Sequence, residues 1–150
     1  MEYFDRYYTR AHSACTSLSA NKAEKARSLA NWRGTVSQRW RQVNLQSEDV
    51  TAENEVKAGD ELPVRVKVRL KDLRPEDVAV EVMYGALNPD GEIMDGQIMR
   101  LSYQSESSSM SIFEGSIPCH TGGRQGYAVR VRPDHPDLVH PFTPLLITWE

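Results

Sequence analysis

Between Leu62 and Leu70 the chain alternates without a fault. Val64, Val66, Val68 and Leu70 fall on one side, and Arg65, Lys67 and Arg69 on the other. Successive side chains of an extended strand point to opposite faces, so this segment has one face to bury and one for water. The period returns at Val78, Val80, Val82 and Tyr84, with Glu81 on the opposite face. Further strand-like runs are Ile93–Tyr103, Met110–Ile117, Gly126–Arg132 and Thr143–Trp149, with a first strand expected within Val43–Thr51. Turn signals separate them at Lys57–Asp60, Leu73–Asp77, Asn88–Gly91, Thr121–Gly123 and Pro133–Pro141. About seven short, evenly spaced strands predict a mainly β fold, an antiparallel β-sandwich. One wet and one dry face per strand suits antiparallel sheets better than parallel ones.

The order of the strands adds an expectation of immunoglobulin-like, or fibronectin-like, topology. Gly126–Val131 is sixth in order, and Tyr127 stands where a tyrosine-corner residue belongs in such sandwiches. Val66 or Val68, and Val129, replace the usual inter-sheet cysteines, so aliphatic packing must hold the domain. If the third and sixth strands are neighbours, Glu81 lies across from Arg130 or Arg132. If the second and fifth pair, Glu114 lies near Arg65 or Lys67.

Residues 1–42 have another character. Tyr3, Phe4, Tyr7, Tyr8 and Ala11 form an aromatic stripe at helical spacing, and Ala26, Leu29, Trp32, Val36 and Trp40 form a second after a break at Ser13–Ala20. Asn21-Lys22-Ala23-Glu24 has the form of a capping box opening that second helix. Stripes this apolar need a partner surface, and left uncovered they favour self-association. Charge divides at the same place: residues 1–42 carry eight Lys/Arg against three Asp/Glu, and 43–150 carry ten against eighteen, +5 and −8 summing to the net −3. The expected organisation is therefore a helical segment over 1–42 and a sandwich domain over 43–150. The net acidity argues against a nucleic-acid binder. No stretch approaches the ~20 apolar residues of a membrane span, and Met1-Glu2-Tyr3-Phe4-Asp5 does not read as a signal peptide. Two isolated cysteines, Cys15 and Cys119, fit a reducing, cytoplasmic location.

Each residue cluster that suggests chemistry has a plainer reading. Arg65, Lys67 and Arg69 read as a solvated strand face rather than a phosphate strip. Gly122-Gly123-Arg124-Gln125-Gly126 leads into a strand, whereas a phosphate loop wants a helix N-terminus after it. Cys119-His120 with His135 and His140 matches no zinc spacing. Ser105 to Ser111 reads as a flexible hairpin tip, and Asp60-Glu61 and Glu76-Asp77 as turn residues. Trp32 and Trp40 read as packing residues, and Trp149 could stack on a sugar ring. No nucleophile, base and oxyanion donor come together, so no catalytic, cofactor-binding or metal residue is expected.

Met1-Glu2-Tyr3-Phe4-Asp5-Arg6-Tyr7-Tyr8 resembles the helix motif near the end of the catalytic region in α-glucan phosphorylases (glycosyltransferase family 35). Lys25–Trp32 is similar to the helix that follows it in the bacterial branch. Gly59–Val66, Leu73–Glu81, Gly126–Pro133 and His135–Leu138 are similar to the β-sandwich tail of those enzymes. The resemblance covers essentially the whole chain and implies the C-terminal piece of such an enzyme, starting inside the helix motif. Members split α-1,4-glucan with phosphate to release glucose 1-phosphate, and hold pyridoxal phosphate on a lysine in a Gly-Thr-Ser-Gly-Met-Lys type segment. This sequence has no such segment, and Lys22 and Lys25 lie in no such context.

Two function readings follow. In the first, the chain is the non-catalytic tail of a phosphorylase, inactive alone, partnered by the catalytic lobes and serving assembly or contact with α-glucan. In the second, it is a stand-alone immunoglobulin-like module for a protein or carbohydrate.

Overall fold

The computed structural model describes residues 23–48, 57–120, 122–140 and 146–150. The aromatic stripe at Tyr3–Ala11, the break at Ser13–Ala20, Cys15 and Lys22 lie outside those residues. Helix α1 spans Glu24–Arg39 and runs into a 3-10 turn at Trp40–Gln42. Eight strands follow: β1 Asn44–Glu48, β2 Glu61–Arg69, β3 Val78–Leu87, β4 Ile93–Arg100, β5 Ser102–Ser107, β6 Met110–Pro118, β7 Gln125–Pro133 and β8 Thr148–Trp149. A second 3-10 turn, Pro75–Asp77, leads into β3.

The strands form two four-stranded sheets, ordered β1-β2-β6-β5 and β4-β3-β7-β8, and every pairing is antiparallel. Their inner faces share one core. Val64, Val66, Val68, Phe113 and Ile117 of the first sheet meet Val78, Val80, Val82, Val129 and Val131 of the second. Val64, Val66, Val68, Val78, Val80 and Val82 are the residues that the period of two placed on common faces. Val66, Val68, Val80, Val82 and Val131 have less than 2% of their surface exposed, and burying such a side chain is worth about 1.5–3 kcal/mol.

Helix α1 closes one end of this core. Val36 and Trp40 join the same buried cluster as the strand valines, with Leu70 and Leu73, and Trp32 packs against its edge. The second apolar stripe thus finds its partner within the chain. The helix does not start at the expected capping box. Glu24 is its first residue, and Ala23 at the N-cap has a left-handed φ of 63° with no side-chain cap.

Ile93–Tyr103 is not one strand. The chain leaves the second sheet after Arg100 and enters the first at Ser102, turning on Leu101, which is buried and donates its N–H to Val80 O at 2.8 Å. Gly115 makes room for it, since a Cβ there would stand 2.7 Å from Leu101 Cδ2. The crossing produces eight described strands where about seven were expected. The hairpin read at Ser105–Ser111 is mostly ladder, and its turn narrows to Ser108 and Ser109.

Candidate functional site

The outer faces of the two sheets are built differently. On the first sheet, Arg65 pairs with Glu114 at 3.1 Å and Glu48 at 3.4 Å, while Lys67 also binds Glu48. These side chains are 37–50% exposed, where ion pairs contribute little. The Lys67 hydrogen bond, aided by the charges of Lys67 and Arg65, holds the Glu48 carboxyl below its ordinary range. This is the wet face expected of Arg65, Lys67 and Arg69, and Glu114 lies opposite Arg65 in the register.

On the second sheet, Glu81 faces Arg130 across β3 and β7, the pairing expected from sequence. Its solvation differs from expectation: alternation put Glu81 on a wet face, yet it is 6% exposed, with Arg130 at 9% and Arg132 at 8%. Glu81 Oε2 accepts from Arg130 Nε at 2.8 Å, and Oε1 accepts from Arg132 Nη2 at 2.7 Å and Nε at 3.0 Å. Arg132 Nη1 reaches Asp134 at 3.2 Å, and Asp134 binds Arg100 Nη1 at 2.8 Å. Three guanidinium groups thus share two carboxylates. Charges withdrawn from water are tolerated when paired and hydrogen-bonded on several sides. Trp149 lies over the Arg130 guanidinium, 5.4 Å from its central carbon to the ring centroid.

Register places Met83, Ile98, Ala128 and Trp149 on this same face. Gly126 keeps its floor low, since a Cβ there would stand 2.5 Å from Leu87 Cδ2. Ile98 and Trp149 are 55% and 46% exposed. The face thus combines apolar side chains with a largely buried ionic centre.

A third constellation joins α1 to the sheets. Trp32 Nε1 donates to Asp77 Oδ1 at 2.9 Å, its ring lies 4.8 Å from that of His135, and Arg39 donates to Asp72 O at 2.9 Å. Burial alone would raise the Asp77 pKa. Hydrogen bonds from the Arg74 N–H and the Trp32 indole, with the Arg74 charge, outweigh it and hold the carboxyl below its usual range.

The residues singled out for chemistry in the sequence separate in space. Cys119 exchanges backbone hydrogen bonds with Gly59 and Asp60, and its thiol points toward Ile117 O at 3.8 Å. His135 packs on Trp32, and among the described residues no three His, Cys, Asp or Glu side chains are grouped to hold a metal ion. Asp60 accepts from the Lys57 N–H within its turn, and Asp77 serves the helix joint just described. Gly123 turns the chain at φ 105° before β7, as a turn residue does. Tyr127 lies inward opposite Tyr84 and packs against the core. Among the described residues, no helix is long and apolar enough to cross a membrane.

Fold and faces define a class: an antiparallel two-sheet β domain, closed at one end by a helix, with a solvated ion-pair face on one sheet and a largely buried ionic centre on the other. Residues 40–150 match the glycogen phosphorylase C-terminal domain, and the chain belongs to that family. It is 28% identical over 139 residues to a glycogen phosphorylase of Mycobacterium tuberculosis, covering 91% of this chain and 16% of the relative. It is 29% identical over 153 residues to a maltodextrin phosphorylase of Thermococcus litoralis, covering 99% and 17%. The chain therefore spans about one sixth of the length of the curated relatives it matches. The resemblance carried by Gly59–Val66, Leu73–Glu81 and Gly126–Pro133 is the one these matches show.

Proposed function

We propose that the chain serves as a non-catalytic C-terminal part of a cytoplasmic α-glucan phosphorylase, a glycosyltransferase, and holds the catalytic lobes through the outer face of the β4-β3-β7-β8 sheet. The observation that carries this is the contrast between faces: ion pairs on one sheet stand in water, while the Glu81 pairs with Arg130 and Arg132 on the other are buried near exposed Ile98 and Trp149. The family match from residue 40 supports a division near 42/43, with α1 as the joint between sandwich and lobes.

The sandwich is read as immunoglobulin-like. The strand orders β1-β2-β6-β5 and β4-β3-β7-β8 correspond to A-B-E-D and C′-C-F-G of that topology. Pyridoxal phosphate is assigned to the lobes and not to this chain. Lys57 and Lys71 are exposed, Lys67 is paired with Glu48, and Lys25 is only half-buried on α1. Among the described residues, no lysine has the enclosed setting a Schiff base requires.

The test is to combine the chain with a separately produced catalytic region and measure glucose 1-phosphate release from maltodextrin. The chain alone should release none. Ile98→Asp should weaken its association with the catalytic region at least tenfold, whereas Gln46→Asp, on the outer face of the other sheet, should not. Phosphorolysis by the chain alone, or equal effects of the two variants, overturns the reading.

A further inference from the structure

A groove of about 440 Å³ opens where the chain crosses from β4 to β5, lined by Pro75, Glu76, Arg100, Ser102, Tyr103 and Phe113 among others. From its chemistry we infer that this groove is a surface subsite for a neutral oligosaccharide, an α-glucan segment, on the margin of the sandwich where the chain changes sheets; it shares Arg100 with the ionic centre of the proposed docking face. The inference rests on the glucan-phosphorylase reading and gives its substrate class a second point of contact.

Tyr103, on the edge strand β5, is 45% exposed. It is nevertheless held in place: it pairs with Phe113 in the β5–β6 ladder, and the two rings meet edge-on at 5.7 Å and 67°. A fixed aromatic face open to solvent can take the apolar C–H face of a pyranose ring without first losing rotamer freedom. Its phenol hydroxyl can both donate to and accept from a ligand hydroxyl.

The rim supplies what sugar hydroxyls need. Arg100 offers several N–H donors on a guanidinium already oriented by Asp134 at 2.8 Å. Glu76 brings an exposed carboxylate acceptor, with Arg74 3.6 Å away, and Ser102 a hydroxyl that can donate or accept. Donor and acceptor charges balance across the groove. That disfavours an anionic ligand such as a phosphate, which Glu76 would repel, and suits an uncharged polyol. A volume of this size falls within the range of small-ligand clefts.

Titration of the isotope-labelled chain with maltoheptaose, followed by NMR, tests the assignment. Shift changes are expected at Arg100, Ser102, Tyr103 and Glu76 and not around Glu114 on the outer face of the first sheet. Tyr103→Ala should weaken binding at least tenfold while Tyr103→Phe retains most of it. A site near millimolar affinity is expected, as for shallow open subsites. Absence of shifts at about 10 mM sugar, shifts centred elsewhere, or equal loss in Tyr103→Phe and Tyr103→Ala overturns the subsite. A chain that binds the catalytic region but not maltoheptaose loses this inference alone. One that binds maltoheptaose but not the catalytic region loses the reading it rests on.

Discussion

The indole Nε1 of Trp32 donates to Oδ1 of Asp77 at 2.9 Å, joining residues 45 positions apart. With Arg39 bound to Asp72 O and His135 packed on Trp32, this contact fixes α1 to the turn before β3. One of the contacts that seat the helix thus depends on the Asp77 carboxylate.

Because hydrogen bonds depress the Asp77 pKa in the folded state, its contribution is complete above the ordinary value of 3.8 and is lost as pH falls from there through the lowered value. Asp77→Asn should therefore be less stable than the parent at neutral pH, with the gap closing as pH falls below about 3.8. Urea melts across pH check this. A gap unchanged between pH 7 and pH 3 contradicts the argument.

Glu81→Ala leaves Arg130 and Arg132 buried without their shared acid and should cost about 3–5 kcal/mol. Glu114→Ala removes a solvated pair and should cost at most about 1 kcal/mol. Equilibrium denaturation of the two variants compares the faces directly.

The alternating valines, the turns and both cross-strand ion pairs were legible because each depends on local period and on which strands are neighbours. The burial of Glu81 was not, since parity gives the direction of a side chain and not what lies beyond it. Nor was the crossing at Leu101: the turn dipeptide within Ile93–Tyr103, Asp95-Gly96, lies well before it, and the room for Leu101 comes from Gly115 on another strand. The groove at Tyr103 depends on that crossing and was hidden with it. The helix joint escaped for a related reason. Glu76-Asp77 reads as an ordinary turn until Trp32 is brought from 45 residues away.

Ser108 and Ser109 turn the β5–β6 hairpin with φ of 51° and 64°. Left-handed backbone at two consecutive non-glycine residues favours Asn-Gly. Ser108→Asn combined with Ser109→Gly should raise stability by about 0.5–1 kcal/mol, read as a higher denaturation midpoint. A neutral or lower midpoint would show that these serines bear no strain.

Val36 and Trp40 are 1% and 7% exposed within the shared core. A chain cut to residues 43–150 loses both and uncovers Leu70 and Leu73, so it should be less stable than residues 23–150 by about 3 kcal/mol or more. Calorimetry of the two fragments measures the difference. Equal melting would mean that α1 is an ornament rather than a lid.

The Leu101 crossing has a counterpart on the opposite margin. There Glu150 Oε1 accepts from both the Ser47 N–H and the Ser47 hydroxyl, at 2.7 and 2.6 Å, tying β1 of one sheet to the end of β8 in the other. Layers stitched along both seams cannot shear past each other without breaking a buried backbone hydrogen bond or a carboxylate clasp. Sliding of one layer over the other is thus opposed at both margins, by a chain crossing on one side and a carboxylate clasp on the other.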